Sequence, residues 1–260
     1  MDSSDSTAPG IARQDLIEGL GKGLRLIEAF DDDHPRLTPS KAAELTGLTR
    51  SAARRFLLSL VHYGYAGSDG KNFWLMPRVL RLGQSYLEAA RLPRLVQPFI
   101  QRVSMQSGET VNFSVLDGHE IVYVARSGSP RFVSIGYQVG VRVPAHVVTP
   151  GRVILSTWSD ERLDDWIAAH DFSSFTSHTI TDPKLFREEV LAARARDHWV
   201  TTQNLDLGLS GLAVPLKNRR GDCLGAIGMT VQLQSLATDA MVQTLLTPLR
   251  EAAQAMRPIL

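Results

Sequence analysis

From Leu16 to Phe30, the apolar residues Leu16, Leu20, Leu24, Ile27 and Phe30 recur at spacings of three and four, which is one face of a helix. The acidic cluster Asp31-Asp32-Asp33, then His34-Pro35, ends it. Thr38 offers a capping oxygen just ahead of Pro39, which predicts a short helix through Leu45. Thr46-Gly47-Leu48 makes a tight turn. Thr49 then caps a helix from about Arg50 to His62 that buries Ala53, Phe56, Leu57 and Leu60. Two short helices joined by a glycine turn form a helix-turn-helix pattern. Tyr63 to Ala66 and Asn72 to Leu75 read as strands around the turn residues Ser68-Asp69-Gly70-Lys71. A hairpin directly behind the second helix is a wing, and that order is more specific than the helix pair alone.

Pro77 to Arg91 returns to helical spacing through Val79, Leu80, Leu82, Leu87 and Ala90, and Pro93 is expected to break it. A second helix, Arg94 to Ser107, carries Leu95, Phe99, Ile100 and Val103. The first of these reads as a linker helix or as an ordinary core helix. Exposed apolar residues on it would suit a dimer contact. Beyond it, Val111 to Leu116 alternates as a half-buried strand, Asp117-Gly118 turns it, and Glu120 to Ala125 returns. Further strands are expected at Arg131–Ile135, Tyr137–Val143, Trp199–Thr202, Gly211–Lys217 and Leu224–Val231. Helices fit Pro150–Trp158, Asp160–His170, Pro183–Arg196 and Ala237 to the end. The expected fold class is α+β: a winged helix-turn-helix, a linker helix, and a domain with a mostly antiparallel sheet and helices packed around it.

Composition narrows the function. The 260 residues suffice for two domains, and 43% hydrophobic against 21% charged is a globular balance. No apolar run approaches the roughly 20 residues of a membrane span. The start, MDSSDSTAPGIA, lacks the positive and apolar stretches of a signal peptide and reads as a disordered tail on a cytoplasmic protein. One cysteine, Cys223, excludes an internal disulfide and a cysteine zinc site, and its apolar run CLGAIGM suggests a buried strand position. The net charge of +1 announces no nucleic-acid binder, and residues 1 to 75 hold nine Lys/Arg against ten Asp/Glu. Between Arg36 and Tyr63, however, Arg36, Lys41, Arg50, Arg54 and Arg55 face only Glu44. Such a patch neutralises phosphates, or else it is a solvated helix face.

The chain contains no H-x-x-x-H on a helix, no G-x-S-x-G elbow and no phosphate-binding G-x-x-x-x-G-K-[ST] loop. Leu209-Ser210-Gly211 is a fragment of the elbow only. An enzyme is not expected, and neither a cofactor nor a metal is implied. An architectural DNA binder would not need a second domain.

The run LTPSKAAELTGLTRSAARRFLLSLVHYGYAGSDGKNFWLMPRVLRLG resembles the DNA-binding and linker region of the IclR family of bacterial regulators. VLDGHEIVYVAR, VGVRVPAHVVTPGRVILS, HTITDP and LSGLAVPLKNRRGDCLGAIGMTV are similar, in order and spacing, to its effector domain. These matches run from about Leu16 to Met256. The stretch HPRLTPSKAAELTGLTRSAARRFL most resembles the branch that regulates catabolism of protocatechuate and related aromatic acids through β-ketoadipate.

The resemblance implies a tail at 1–13, a winged helix-turn-helix at 14–76, a linker helix at 77–92 and a GAF-like effector and oligomerisation domain at 93–260. Its partners would be double-stranded operator DNA, a small carboxylic acid and one or three further copies of the chain. A different catabolic pathway with another effector is the alternative. On the recognition helix, Arg50, Ser51 and Arg54 are expected at base edges. Thr38, Thr49, Arg55 and the wing-tip Lys71 are expected at phosphates or as scaffold. Arg55 has a second reading, as a pin to Glu28 or Glu44. The effector pocket is expected among Phe113, Arg142, His146, Thr149, Gly151, Arg152, Asn204, Ser210, Met229 and Thr230. There an Arg and free N–H groups would hold a carboxylate while Phe113 and Met229 form an apolar wall. His146 and Arg142 also have plain readings, as a loop histidine and a surface cation. Two residues depart from the family's pattern: Pro150 stands where a small residue is usual, and Asn204 where an acid is usual.

Overall fold

The placement of threonine, proline and glycine decides where the first helices begin and end. In the computed structural model, which describes residues 11–128 and 137–260, helix α1 is Glu18–Glu28, α2 is Pro39–Thr46 and α3 is Arg50–His62. The Thr38 hydroxyl accepts the Lys41 N–H, Pro39 occupies the first turn, and Gly47 ends α2 at φ 68°. The Thr49 hydroxyl accepts the Ala52 N–H at 3.2 Å and opens α3. Strands β1 (Ala66–Ser68) and β2 (Phe73–Leu75) pair antiparallel as the wing. The turn between them is held by Asp69, whose carboxylate accepts the Lys71 and Asn72 N–H groups at 2.9 and 2.7 Å. Those bonds hold its pKa down at about 2. Leu37 pairs with Phe73 through both backbone groups, at 2.9 Å each, and ties the wing to the helices. The core beneath is Leu26, Leu37, Ala42, Ala53, Leu57 and Phe73.

The chain divides into two compact units, residues 1–85 and 86–260. The expected linker helix is a 3-10 turn at Pro77–Val79 followed by α4, Leu80–Ala89, none of whose residues is buried. The break between the two helices comes at Ala90, ahead of the expected Pro93. Helix α5 is Arg91–Ser107, so Pro93 lies in its first turn, where no N–H is needed. The stripe expected to bury α1 is only half used: Leu16, Leu20 and Leu24 are exposed, and Leu26 is the buried residue.

The second unit is a six-stranded antiparallel sheet in the order β5-β4-β3-β8-β7-β6. Its strands are β3 (Val111–Asp117), β4 (Glu120–Ser127), β5 (Arg142–Pro144), β6 (Trp199–Thr202), β7 (Leu209–Lys217) and β8 (Cys223–Gln232). Helices α5 and α9 (Asp239–Met256) cover one face around Phe113, Ile227, Leu212 and Val214. Helices α6 (Thr149–Leu155), α7 (Asp160–Ala169) and α8 (Pro183–Arg196) build the other layer around Ile121, Val153, Leu163 and Phe186. Two departures from expectation follow. Val111 to Ser114 is buried at every position, not every second one, because both faces of β3 are covered. Of the strand expected at 137–143, only the short β5 forms; the strand expected at Arg131–Ile135 and the first ten residues lie outside the described residues. Among the described residues, no helix is long and apolar enough to cross a membrane.

Candidate nucleic-acid interface and effector cavity

In the first unit, α3 carries one exposed face made of Arg50, Ser51, Arg54 and Arg55, with Thr49 exposed at its start. Arg55 pairs with neither proposed acid; Glu44 instead takes the Lys41 ammonium at 2.6 Å. Lys71 stands exposed at the wing tip, next to a turn that its own N–H helps to hold. Thr38 is turned to capping α2, and its hydroxyl is only partly exposed.

In the second unit an open cavity, with about 480 Å³ of free space when the solvent at its mouth is included, lies on the sheet face below α6. Its floor is Asn112, Gly211, Gly228 and Thr230 of β3, β7 and β8, and one wall is Thr149 and Pro150. Gln203, Asn204 and Asp206, from the loop joining β6 to β7, border it with Tyr123 and Tyr137. The Tyr123 and Tyr137 rings stack with centroids 4.9 Å apart, and the Tyr137 hydroxyl donates to Asp206 at 2.8 Å. Burial pushes both phenols upward in pKa, and the Asp206 carboxylate adds to it. The Thr149 and Thr201 hydroxyls bond each other at 2.5 Å. They can do so because residue 211 is glycine: a Cβ there would lie 2.2 Å from the Thr149 oxygen. Asn112 is 4% exposed, and its side-chain oxygen has no hydrogen-bond partner.

Of the ten residues expected in the pocket, the structure brings five to the cavity: Thr149, Asn204, Ser210, Thr230 and Met229, although the Met229 side chain packs in the core under α5 and α9 and forms no apolar wall. The other five do not border it. Phe113 points to the opposite face of β3, into the core under α5 and α9, because alternate residues of a strand face opposite ways. Arg142 is a surface cation on β5, bonded to Glu120 at 2.7 Å and Asp117 at 2.8 Å. Gly151 gives its N–H to the Val148 carbonyl, and a Cβ on it would collide with the Ala145 carbonyl at 1.9 Å. It is a packing glycine.

Arg152 is wholly buried behind the cavity wall, with its guanidinium 5.4 Å from the Phe186 ring. It donates to Glu189 at 2.5 Å, to the His146 carbonyl at 2.7 Å and to the Asn204 side-chain oxygen at 2.6 Å. Asn204 in turn donates to the His178 and Thr202 carbonyls at 3.2 and 2.9 Å. An ionised aspartate at this position, having no donor, could not do so.

His146 belongs to a chain of imidazoles. Its Nε2 donates to the Ser173 carbonyl at 2.9 Å, so its Nδ1 must accept from His170 Nε2 at 2.7 Å. His170 Nδ1 then accepts from His119 Nδ1 at 3.1 Å. Burial, with His146 and His119 alongside, brings His170 down to a pKa of about 4.

Sequence reasoning misses Asn112, Tyr123, Tyr137 and Asp206, whereas Thr201 lies in the stretch Thr201 to Leu205 that the family resemblance places at the pocket. The polar residues at 112 and 114 alternate with apolar ones, a pattern that by itself indicates a half-buried strand and does not mark a cavity floor.

Two family models match the chain: the IclR helix-turn-helix domain over residues 19–70 and the bacterial transcriptional regulator IclR C-terminal domain over residues 84–257. The chain is 38% identical over 252 residues to the p-hydroxybenzoate hydroxylase transcriptional activator of Acinetobacter baylyi, covering 95% of this chain and 93% of that protein. It is 33% identical over 241 residues to the Pca regulon regulatory protein of Pseudomonas putida, with 92% and 83% covered. Among solved structures, a putative transcriptional regulator from Rhodococcus sp. RHA1 is 36% identical with a TM-score of 0.76, over 93% of this chain and 97% of that one. The inducer-binding domain of the Acinetobacter PobR transcription factor, a double mutant in complex with 3-hydroxybenzoic acid, is 32% identical with a TM-score of 0.62. It matches 66% of this chain and all of its own length. The protein belongs to the IclR family of bacterial transcriptional regulators.

Proposed function

We propose that this regulator binds operator DNA in the bacterial cytoplasm and responds to a hydroxylated aromatic acid, controlling genes for its catabolism. The observation that carries the ligand half is the cavity under α6, which is walled by two stacked tyrosines and floored by a buried, unpartnered Asn112. Relatives named for p-hydroxybenzoate and Pca regulation support the aromatic class. For DNA, Arg50, Ser51 and Arg54 read base edges from the start of α3, while Thr49, Arg55 and Lys71 hold phosphates. In the cavity, Thr149, Ser210, Met229, Thr230 and Asn204 contact the effector or support the groups that do.

The acid binds one conformation of the effector unit better than another, and DNA affinity shifts by that difference. The working species is a homodimer or a homotetramer. The uncovered Leu80, Leu82 and Tyr86 of α4, with Leu16, Leu20 and Leu24, supply apolar surface for it.

A thermal-shift screen with 4-hydroxybenzoate, protocatechuate and β-ketoadipate tests the reading, paired with operator binding at fixed salt. A ligand at a hundredfold excess over Kd stabilises the folded state by about 2.7 kcal/mol. A shift with the aromatic acids, accompanied by altered operator affinity, is expected. A response to β-ketoadipate alone would replace the aromatic class with a linear diacid.

A further inference from the structure

Asn112 sits in the middle of β3, opposite Gly228 of β8, on the face of the sheet that floors the cavity. Its side-chain oxygen is a hydrogen-bond acceptor that is almost wholly buried and has no protein partner. Buried polar groups are nearly always paired, and one left unpaired at a cavity floor marks a place where a ligand completes the bonding. The atom left over is an acceptor, so the ligand must bring a donor. A carboxylate brings none and would meet the oxygen with like partial charge. A neutral hydroxyl does bring one.

The charged part of the lining agrees. Asp206 is the charged residue that borders the cavity among the described residues, and it too is an acceptor. Arg126, opposite Asn112 in the β3–β4 register, does not border the cavity.

We propose that Asn112 is the specificity residue of the effector cavity: its carboxamide oxygen accepts a hydrogen bond from a ring hydroxyl of the ligand, selecting hydroxylated aromatic monoacids over unsubstituted and dicarboxylic ones. This rests on the effector reading above and sharpens it. Because no protein group donates to this oxygen, a donor on the ligand supplies the missing bond. Benzoate cannot make that bond, whereas a hydroxybenzoate does, so the gained bond appears in the affinity.

Titration calorimetry of the full-length protein with 4-hydroxybenzoate, 3-hydroxybenzoate, benzoate and terephthalate tests this without any variant. At least a tenfold preference for one or both hydroxybenzoates over benzoate is expected, with terephthalate weakest. Asn112→Leu, of similar size and with no acceptor, should bring the hydroxybenzoate-to-benzoate ratio to within about threefold, by weakening the hydroxy acid and not by tightening benzoate. Asn112→Ala, which only deletes atoms, gives the same ratio test if the leucine is not accommodated. Equal affinity for benzoate and the hydroxybenzoates, a ratio unchanged in the variants, or terephthalate matching 4-hydroxybenzoate would each overturn the assignment of Asn112 while leaving an aromatic-acid regulator standing. Binding of none of the four acids, nor of protocatechuate, would overturn both readings together.

Discussion

Glu189→Gln leaves the Arg152 guanidinium, 0% exposed, without a counter-charge. The wild-type pair is a short charge-assisted bond at 2.5 Å, and the other two guanidinium bonds go to neutral oxygens on His146 and Asn204. Breaking one side of a buried ion pair costs about 3–5 kcal/mol, mostly the penalty of the charge left behind. Glu189 is 29% exposed, so water compensates part of its loss. The expected cost is therefore about 2–3 kcal/mol. In a unit of this size that is about 5–10 °C in Tm.

Urea unfolding followed by tryptophan emission is the natural assay, because Trp158, Trp166 and Trp199 all lie in the unit that holds the pair. Arg152→Met with Glu189→Met removes both charges and should recover at least about 1 kcal/mol relative to Glu189→Gln. Since Arg152 also holds the Asn204 oxygen at the cavity edge, Glu189→Gln should weaken effector binding severalfold while operator affinity without effector stays at the wild-type value. A loss below about 0.5 kcal/mol, the usual range for surface changes, would refute the reasoning. It would mean that the Arg152 charge is neutralised by another route.

Arg54→Ala, at an exposed position on α3, should cost about 1–3 kcal/mol of specific operator affinity and relax sequence preference, read by gel shift at fixed salt with a scrambled duplex as control; an unchanged specificity ratio would remove Arg54 from the base-reading set. His170, held near a pKa of 4 against 6.5 for the free side chain, stays neutral in the native state while the unfolded chain takes up a proton between these values. Stability from this group is thus present above pH 6.5 and lost as pH falls toward 4, by at most about 3 kcal/mol. His170→Phe, which keeps the stack on Trp166, should flatten the stability profile between pH 7.5 and 5, and an identical slope in both proteins would contradict this. Gly211→Ala places a Cβ 2.2 Å from the Thr149 hydroxyl and should push Thr149 off Thr201. An overpacking cost of about 1–3 kcal/mol is expected in thermal unfolding, with loss of effector response; wild-type Tm and response would show that Thr149 moves aside freely.

The local signals in the chain determine the DNA-binding unit almost residue by residue. Thr38-Pro39, Gly47, Thr49 and Asp69-Gly70 act within three or four residues of themselves, through capping bonds, fixed φ and turn bonds. Their effect is therefore written in sequence order, and α2, α3 and the wing fall where those residues place them. The same holds for β6 to β8 and for α8, whose spacing and caps are local.

The cavity is a different matter. Whether Asn112 or Phe113 meets the ligand depends on which face of β3 lies under α6, and both faces of that strand are covered. Alternation in the sequence separates the two faces but does not say what lies against either. Arg152 and His146 carry the chemistry expected of ligand contacts, yet their bonds are taken by Glu189, Asn204, Ser173 and His170, between 24 and 52 positions away apart from the bond joining the two. Bonds between residues that far apart exist only once the helices are packed on the sheet. The sequence therefore determines which groups are available, and tertiary packing decides which of them remain free to meet a ligand.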